Sequence, residues 1–451
     1  MTNNKKKCII KENYLYFGDF LFMNNSVASF LMRHNFVNHV DVLSVAQGLL
    51  DDMKKGLKGE KSDEDMIKTF CNPPKESAKD KSVIVIDAGG TNFRSCLVTF
   101  DSNGIPQISE MEKTKMPGVE RELSKKEFFE QIADNLEHLK NKSDRIGFCF
   151  SYPMTIKENG DGILLGFSKE VKAPEVVGSE VGKCLVEELE KRGWNSIKRI
   201  TLCNDTVAAL LAGAACANDV TDYSSYVGFI LGTGMNAAYI QPKCDCCGIN
   251  EQIIVCESGK YTSVNQSSFD IEFDKTTVKP GSFLLEKLCS GAYLGPVSYY
   301  ALQSAAKEGL FTEKCASAIQ KIDILSLIEV NMFLGNPYSS DSILGKLLKE
   351  NGSECDYDKV FQILDAIVER SARYSAAILI ACVLKTNQGK NASKPVCILC
   401  DGTTFHKTHM IKERVHGYLD EILTNKLGIY WKIISCDNDI TLGTAISGLI
   451  E

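Results

Sequence analysis

Apolar and polar positions alternate along most of this chain, and the period of the alternation changes from segment to segment. VIVIDAGGTNFRSCLV (83–98) is an apolar run, a polar turn with two glycines, then a second apolar run. That order predicts two buried strands joined by a tight hairpin. YVGFILGTGMNAAYIQ (226–241) repeats the plan. IGFCF (146–150) and RITLC (199–203) are short continuous apolar runs, predicted as buried strands. DVLSVAQGLLDDMKKGLK (41–58) has helical spacing, with Leu43, Leu49, Leu50, Met53 and Leu57 expected on one face. PEVVGSEVGKCLVEELEKRG (174–193) predicts a helix ended by its glycine, and residues 358–385 predict a long, partly buried helix. The polar, proline-bearing segment 71–82 reads as a linker, and residues 1–40 show no clear period. From Val83 onward strand and helix patterns alternate, which predicts an α/β fold.

The two hairpins carry the first chemical hint. Their turns hold Gly89, Gly90 and Thr91 in one case and Gly232, Thr233 and Gly234 in the other. Glycine lets backbone N–H groups come close to an anion, and threonine adds a hydroxyl donor. One such turn is an ordinary hairpin. Two, far apart in the chain, predict two related lobes gripping one polyphosphate.

Between and after the hairpins lie acceptors. TLCNDTVAALLAGAA (201–215) ends a predicted strand at Asn204-Asp205 and opens an alanine-rich helix. Asp205 reads either as the helix N-cap or as a general base placed to take a hydroxyl proton. Glu257 follows an apolar strand in VCESGKY, and Glu286 lies on an apolar helix face in PGSFLLEKLCSGAYLG. Solvated surface is the plain reading of each. SYPM (151–154) and FSKEVKAP (167–174) add Ser151, Ser168 and Lys169. With Asn204, Asp205, Asn236, Glu257 and Glu286 they form a set of donors and acceptors suited to a polyhydroxyl ligand, whose every hydroxyl needs both.

Composition narrows the classes. With 451 residues the chain has room for two or three domains. A net charge of −7 argues against a nucleic-acid or membrane-surface partner, because phosphate-backbone binding needs a basic face. No apolar run reaches the roughly 20 residues that span a bilayer. Lys11, Glu12 and Asp19 interrupt the N-terminal apolar patch too soon for a secretory signal, so a cytoplasmic location is expected. The 18 cysteines are scattered through predicted strands and helices (Cys96, Cys149, Cys203, Cys289, Cys382), as reduced thiols of a cytosolic protein would be. One cluster stands out: Cys244, Cys246 and Cys247 in PKCDCCG, followed by Cys256. C-x-C-C lacks a paired C-x2-C or a nearby histidine. It reads as a surface loop between strands, with metal ligation as the alternative.

Taken in order, these segments resemble the hexokinase family within the actin–Hsp70–sugar kinase superfamily, from about residue 41 to the end. IDAGGTNFR resembles its first phosphate motif and ILGTGMNAAYI its second. IGFCFSYPM and GFSKEVKAP resemble its sugar-binding segments, and LCNDTVAALLAG its Asn-Asp-Thr segment. PGSFLLEKLCSGAYLG resembles the helix with the second sugar-binding glutamate, LCDGTTFHKTH (399–409) the adenosine motif, and DITLGTAISGLI the closing helix. Each motif occurs once, as in the single-unit hexokinases and glucokinases.

The resemblance implies a two-lobe actin-like ATPase fold of ribonuclease H type, with ATP and sugar between the lobes. It implies a small lobe of residues 79–203 plus 438–451, a large lobe of 41–78 plus 204–437, and an N-terminal extension, 1–40, of unknown role. ATP and Mg²⁺ are the implied cofactors. Gly89, Gly90, Thr91, Asn92 and Arg94 would lie near the phosphates, with Gly232 and Thr233 facing them from the other lobe. Gly402, Thr403 and Gly443 would wall the adenosine, and Asp87 would face Mg²⁺ through water. Ser151, Ser168, Lys169, Asn204, Asp205, Asn236, Glu257 and Glu286 would bind the sugar. Asp205 would take the proton from the sugar's 6-hydroxyl, with Lys169 and Arg94 offsetting charge on the transferring group.

The implied reaction is transfer from ATP to the 6-hydroxyl of a hexose, glucose first among them, the opening step of glycolysis. Another hexose, such as mannose or fructose, and a catalytically weak sugar sensor are the alternatives. The sequence departs from the family at Phe167 and Ser168, where Trp-Thr is usual, and at Ser258, where the usual Glu-Trp-Gly reads Glu-Ser-Gly. The departures bear on sugar preference more than on reaction type.

Overall fold

The structure is a computed structural model and describes residues 25–74, 78–167, 171–215 and 223–450. It divides into two compact units. The first comprises residues up to Asp41, Thr262–Tyr374 and Lys407–Arg414; the second comprises Val42–Tyr261, Ser375–His406 and Val415–Glu451.

The second unit carries the sheets. Its strands in the N-terminal part are β1 (Ile67–Lys68), β2 (Ser82–Gly89), β3 (Asn92–Phe100), β4 (Pro106–Lys115), β5 (Arg145–Phe150), β6 (Met154–Ile156), β7 (Gly162–Leu164) and β8 (Arg199–Cys203). Further on come β9 (Ser225–Leu231), β10 (Met235–Gln241), β11 (Gln252–Val255), β12 (Val396–Asp401) and β13 (Trp431–Ile434). A five-stranded sheet has the order β4-β3-β2-β5-β8 and a six-stranded sheet the order β1-β11-β10-β9-β12-β13; β6 and β7 pair separately. In the first, β2, β3 and β4 form an antiparallel meander, and β5 and β8 run parallel to β2. In the second, β9, β10 and β11 form the meander, and β12 and β13 run parallel to β9. Setting β1 aside, the two sheets have one topology used twice. The repeated hairpins of the sequence are the first two strands of each meander, and the doubled sheet is the two-lobe actin-like plan.

Period-two alternation decides what each face packs. On β2, Ile84, Ile86 and Ala88 join a core with Phe128, Phe129 and Ile132 of the helix Lys125–Asp134 and with Leu185 and Leu189 of the helix Val181–Lys191. Val83 and Val85 face the other way, into a core shared with Val207 and Leu210 of the helix Asp205–Ala215 and with Leu442 and Ile446 of the helix Asp439–Leu449. Ala238, Ile253 and Val255 of the second sheet enter that same core. The two helices touch at Gly443, where a Cβ would lie 1.7 Å from the Ala208 carbonyl oxygen.

Several expectations change in detail. The helix Val42–Leu57 buries Val42, Ala46, Leu49, Met53 and Leu57, while Leu43 is 42% exposed. The buried stripe runs through small Ala46; Leu43 stands about 100° further round the helix than Val42. The segment 174–193 is not one helix. A single 3-10 turn (Pro174–Val176) is followed by Gly178 in a left-handed conformation, and the helix begins only at Val181. Residues Asn25–Arg33, which show no clear period, form a helix with Val27, Phe30 and Leu31 buried. Cys96, Cys149, Cys203, Cys289 and Cys382 are buried free thiols as expected, whereas Cys436 is disulfide-bonded.

The first unit is helical among its described residues. It contains the helices Ser268–Asp274, Leu284–Cys289, Gly291–Lys307, Glu313–Ile319, Leu327–Gly335 and Ile343–Asn351. The long helix Glu354–Thr386 contributes residues up to Tyr374 to this unit and the remainder to the other. Among the described residues no helix is long and apolar enough to cross a membrane.

Candidate active site

The strands β2, β5 and β8 are parallel neighbours, and their register sets Asp87 beside Cys149 and Cys149 beside Cys203. All three end at this level: β2 in the Gly89-Gly90 turn, β5 in Ser151, β8 in Asn204-Asp205. The carboxyl ends of parallel strands are where such a sheet presents side chains to a ligand. Ser151 N–H donates to the Ala88 carbonyl at 3.2 Å, and the Tyr152 hydroxyl donates to the Gly90 carbonyl at 3.1 Å. Those bonds hold the turn, in which Gly90 is left-handed. Arg94 sits opposite Asp87 on β3, and its Nη1 donates to Asp87 Oδ2 at 3.1 Å. Thr91, Asn92 and Arg94 are exposed around the turn.

Of the two readings of Asp205, the cap belongs to its neighbour. Asn204 Oδ1 accepts the Val207 N–H at 2.8 Å, the N-cap bond of this helix. Asp205 is the first helical residue, and its Oδ1 accepts from Thr206 N–H at 2.8 Å and from Thr206 Oγ1 at 3.2 Å. The buried Cys149 thiol is pushed up chiefly by the Cys203 sulfur and by burial, and further by the carboxylates of both Asp87 and Asp205. The two aspartates therefore both lie near this thiol.

The second sheet supplies a matching edge. Gly232 N–H donates to the Gly234 carbonyl at 3.0 Å, closing the turn that exposes Thr233. Gly402 follows β12 at φ 111°, and a Cβ there would lie 2.2 Å from the Leu231 carbonyl oxygen. Thr404 Oγ1 donates to the Gly232 carbonyl at 2.8 Å. These contacts bring Gly232, Thr233, Gly402 and exposed Thr403 to one corner. Gly443 is buried against Ala208. The sequence reading missed two carboxylates nearby. Asp439 is pushed up to about 7 by burial and by the Asp401 carboxylate. The available signal was position: Asp401 directly precedes Gly402, and Asp439 opens the closing helix motif.

Glu257 is partly buried in a left-handed conformation, φ 57°, so the surface reading is wrong for it. Asn236 Nδ2 donates to Glu257 Oε1 at 2.7 Å. Burial raises the Glu257 pKa most, and the nearby carboxylates of Asp65 and Asp205 raise it further, against the Lys260 ammonium. Asp205 therefore lies near both the Glu257 carboxylate and the Cys149 thiol, the neighbour of Asp87 across β2 and β5.

Of the remaining predicted residues, Ser168 and Lys169 lie outside the described residues. Glu286 is partly exposed on the helix Leu284–Cys289 of the first unit, close enough to raise the pKa of Tyr293. Phe167, in place of tryptophan, packs edge-on to Tyr152 with ring centroids 5.0 Å apart. Ser258 is fully buried, with no hydrogen-bond partner for its hydroxyl among the described residues.

Comparison with known proteins matches two family models, both described as hexokinase, to residues 28–215 and 226–450. The resemblance thus begins earlier than residue 41. Hexokinase-1 of Schizosaccharomyces pombe is 26% identical over 433 residues, covering 90% of this chain and 87% of the relative. Human Hexokinase-3 is 27% identical over 403 residues, and there the match covers 82% of this chain but 41% of the relative. The solved hexokinase of Schistosoma mansoni, complexed with glucose, superposes with a TM-score of 0.70 at 22% identity, covering 94% of this chain and 98% of that one. With the family's models matched along both halves, its motifs in order and its fold, the chain belongs to the hexokinase family.

Proposed function

We propose that this chain transfers the γ-phosphoryl group of ATP to the 6-hydroxyl of a hexose, with glucose as the first candidate, giving hexose 6-phosphate and ADP. The supporting observation is the position of Asp205: it follows β8 just beyond the row Asp87–Cys149–Cys203, beside Ser151 and the phosphate turn, and lies near enough to Glu257 to raise its pKa. In this reading Asp205 takes the 6-hydroxyl proton as the sugar oxygen meets the γ-phosphorus in line. Asn204, Asn236, Glu257 and Ser151 hold the other hydroxyls, joined by Glu286, Ser168 and Lys169. Gly89 to Asn92 and Gly232 to Thr233 offer backbone and hydroxyl donors to the phosphates, and Arg94 and Lys169 face the charge of the transferring group. Asp87 is a partly exposed carboxylate beside the phosphate turn, a donor that fits a hydrated magnesium ion. Magnesium, when bound with the nucleotide, neutralises phosphate charge. The reading places the protein at the entry to glycolysis, in the cytoplasm.

The test is a coupled assay with ATP, Mg²⁺ and a panel of hexoses on the native chain and on Asp205→Ala. Turnover on a hexose that drops by about 10²–10⁴-fold in the variant, with sugar binding retained, supports the reaction and the base. Hexose binding by calorimetry with no turnover on any hexose sinks the enzyme reading and leaves a sugar-binding protein. The panel also reads the preference between glucose, mannose and fructose.

A further inference from the structure

The loop joining β10 to β11 holds three thiols in one place. The sulfur atoms of Cys244, Cys246 and Cys247 all lie within 4.8 Å of one another, with Cys244 to Cys246 at 3.1 Å and Cys246 to Cys247 at 3.7 Å. A thiolate-bound zinc keeps each sulfur about 2.3 Å away, which puts tetrahedral ligands about 3.8 Å apart. The Cys246–Cys247 spacing is close to that value, and the Cys244–Cys246 spacing is shorter by about 0.7 Å, an adjustment within reach of side-chain rotation.

The backbone is built to keep them there. Cys244 N–H donates to the Ile249 carbonyl at 2.8 Å, and Ile249 N–H returns a bond to Cys244 at 3.0 Å. Between them Asp245–Cys247 form a 3-10 turn, closed by Gly248 in a left-handed conformation. Asp245 turns outward to pair with Lys243 at 3.1 Å, leaving the three sulfurs as the ligand set. Cys256 stands apart, buried with its sulfur 4.0 Å from that of Cys382. Lys385, in the last turn of the long helix, lies close enough to Cys247 and Cys244 to interact with charge on them. Three thiolates and a divalent cation would sum to one negative charge, which the nearby Lys385 ammonium would offset.

We propose that Cys244, Cys246 and Cys247 bind one thiophilic cation, Zn²⁺ or Cu⁺, through three thiolates. Binding releases the thiol protons and oxidises nothing. Cu⁺ is satisfied by three sulfurs; Zn²⁺ takes a water as its fourth ligand. The site clips the loop of the same hairpin whose strands lead to Asn236 and Glu257.

The test uses the full chain, reduced and stripped of metal under anaerobic conditions. Cd²⁺ is the spectroscopic probe, and Zn²⁺ and Cu⁺ are titrated separately against chromophoric chelators. One equivalent of Cd²⁺ should bind with thiolate-to-metal charge-transfer absorption. Cys246→Ala and Cys247→Ala should lose that band, while Cys355→Ala, at an exposed cysteine outside the cluster, should keep it. Lys385→Gln should keep the stoichiometry and weaken binding about tenfold. Circular dichroism and melting curves establish that each variant is folded. Which competitor is retained more tightly identifies the ion. A folded native chain that gives no charge-transfer band with Cd²⁺, or a band unchanged in Cys246→Ala, overturns the proposal.

Discussion

Asn236 and Glu257 hold each other by two hydrogen bonds: Asn236 Nδ2 donates to Glu257 Oε1 at 2.7 Å, and Glu257 N–H donates to Asn236 Oδ1 at 3.0 Å. The amide fixes both the carboxylate and the left-handed backbone that carries it. Asn236→Ala releases both. A hydrogen bond to a charged group contributes about 1.5–3 kcal/mol, so hexose KM should rise roughly 10- to 100-fold with kcat little changed. Burial favours the protonated Glu257. If Glu257 binds the sugar as proposed, only its carboxylate form can accept from two hydroxyls, so hexose affinity should fall as pH drops through the raised pKa. Calorimetric titrations across mildly acidic and neutral pH check this, and Glu257→Gln should bind weakly at every pH.

The contact at Gly443 leaves no room for a side chain, since a Cβ would lie 1.7 Å from backbone at Ala208. Backbone cannot step aside as a flexible side chain can. Gly443→Ala should cost at least about 1–3 kcal/mol and disturb the helix Asp205–Ala215, lowering both the urea midpoint and turnover. Gly417 is the control: it lies in the helix Ile411–Leu419, and a Cβ there would meet nothing within 4 Å. Gly417→Ala should stabilise by about 0.5–1 kcal/mol, read in the same denaturation experiment.

How much of this the sequence carried depended on whether a residue's partner was local. The hairpins 83–98 and 226–241 were legible because period-two runs and glycine turns are short-range signals, and they marked both sheets. Asn204 and Asp205 were legible as a strand-to-helix junction, but which of them caps the helix is settled by a side-chain rotation no pattern encodes. Glu257 read as surface because only its contact with Asn236, across two strands, shows the burial. The helix Val42–Leu57 was legible with its face misplaced, because large leucines outweigh Ala46 in a pattern though not in a core. The helical first unit was hardest. Apart from Gly291–Lys307 and the long helix its helices are short, and their signals are caps such as Ser267 with Asp270 rather than long apolar stripes.

Arg370 and Asp270 are both buried and meet in a two-pronged pair, Nη1 to Oδ2 at 2.6 Å and Nη2 to Oδ1 at 2.8 Å. Asp270 also accepts the Ser267 N–H at 2.7 Å, so the pair ties a helix start to the long helix. Arg370→Met leaves Asp270 charged and buried, and should cost about 3–5 kcal/mol. Arg370→Lys should recover little of this, because an ammonium cannot reproduce the planar fork. The double change Arg370→Met with Asp270→Asn should be milder than Arg370→Met alone. Chemical denaturation of the three variants checks the order.

Glu64 is fully buried, and neither of its carboxyl oxygens has a hydrogen-bond partner among the described residues. Its backbone is fixed there by Asp52, whose Oδ2 accepts the Glu64 N–H at 2.8 Å. Burial raises its pKa well above 4.5, and the charges of Cys382, Asp52 and Asp63 act in the same direction, outweighing Lys385. The folded protein therefore holds a proton that the unfolded chain releases near pH 4.5. Its contribution is fully present below that pH and is lost as pH rises toward the folded pKa. Glu64→Gln keeps the shape of the neutral form and cannot ionise. Relative to the native chain it should gain stability steadily above about pH 4.5 and show no gain below it. Melting curves taken at intervals from acid to neutral pH measure the difference; parallel curves for the two proteins would mean that Glu64 is ionised in the fold.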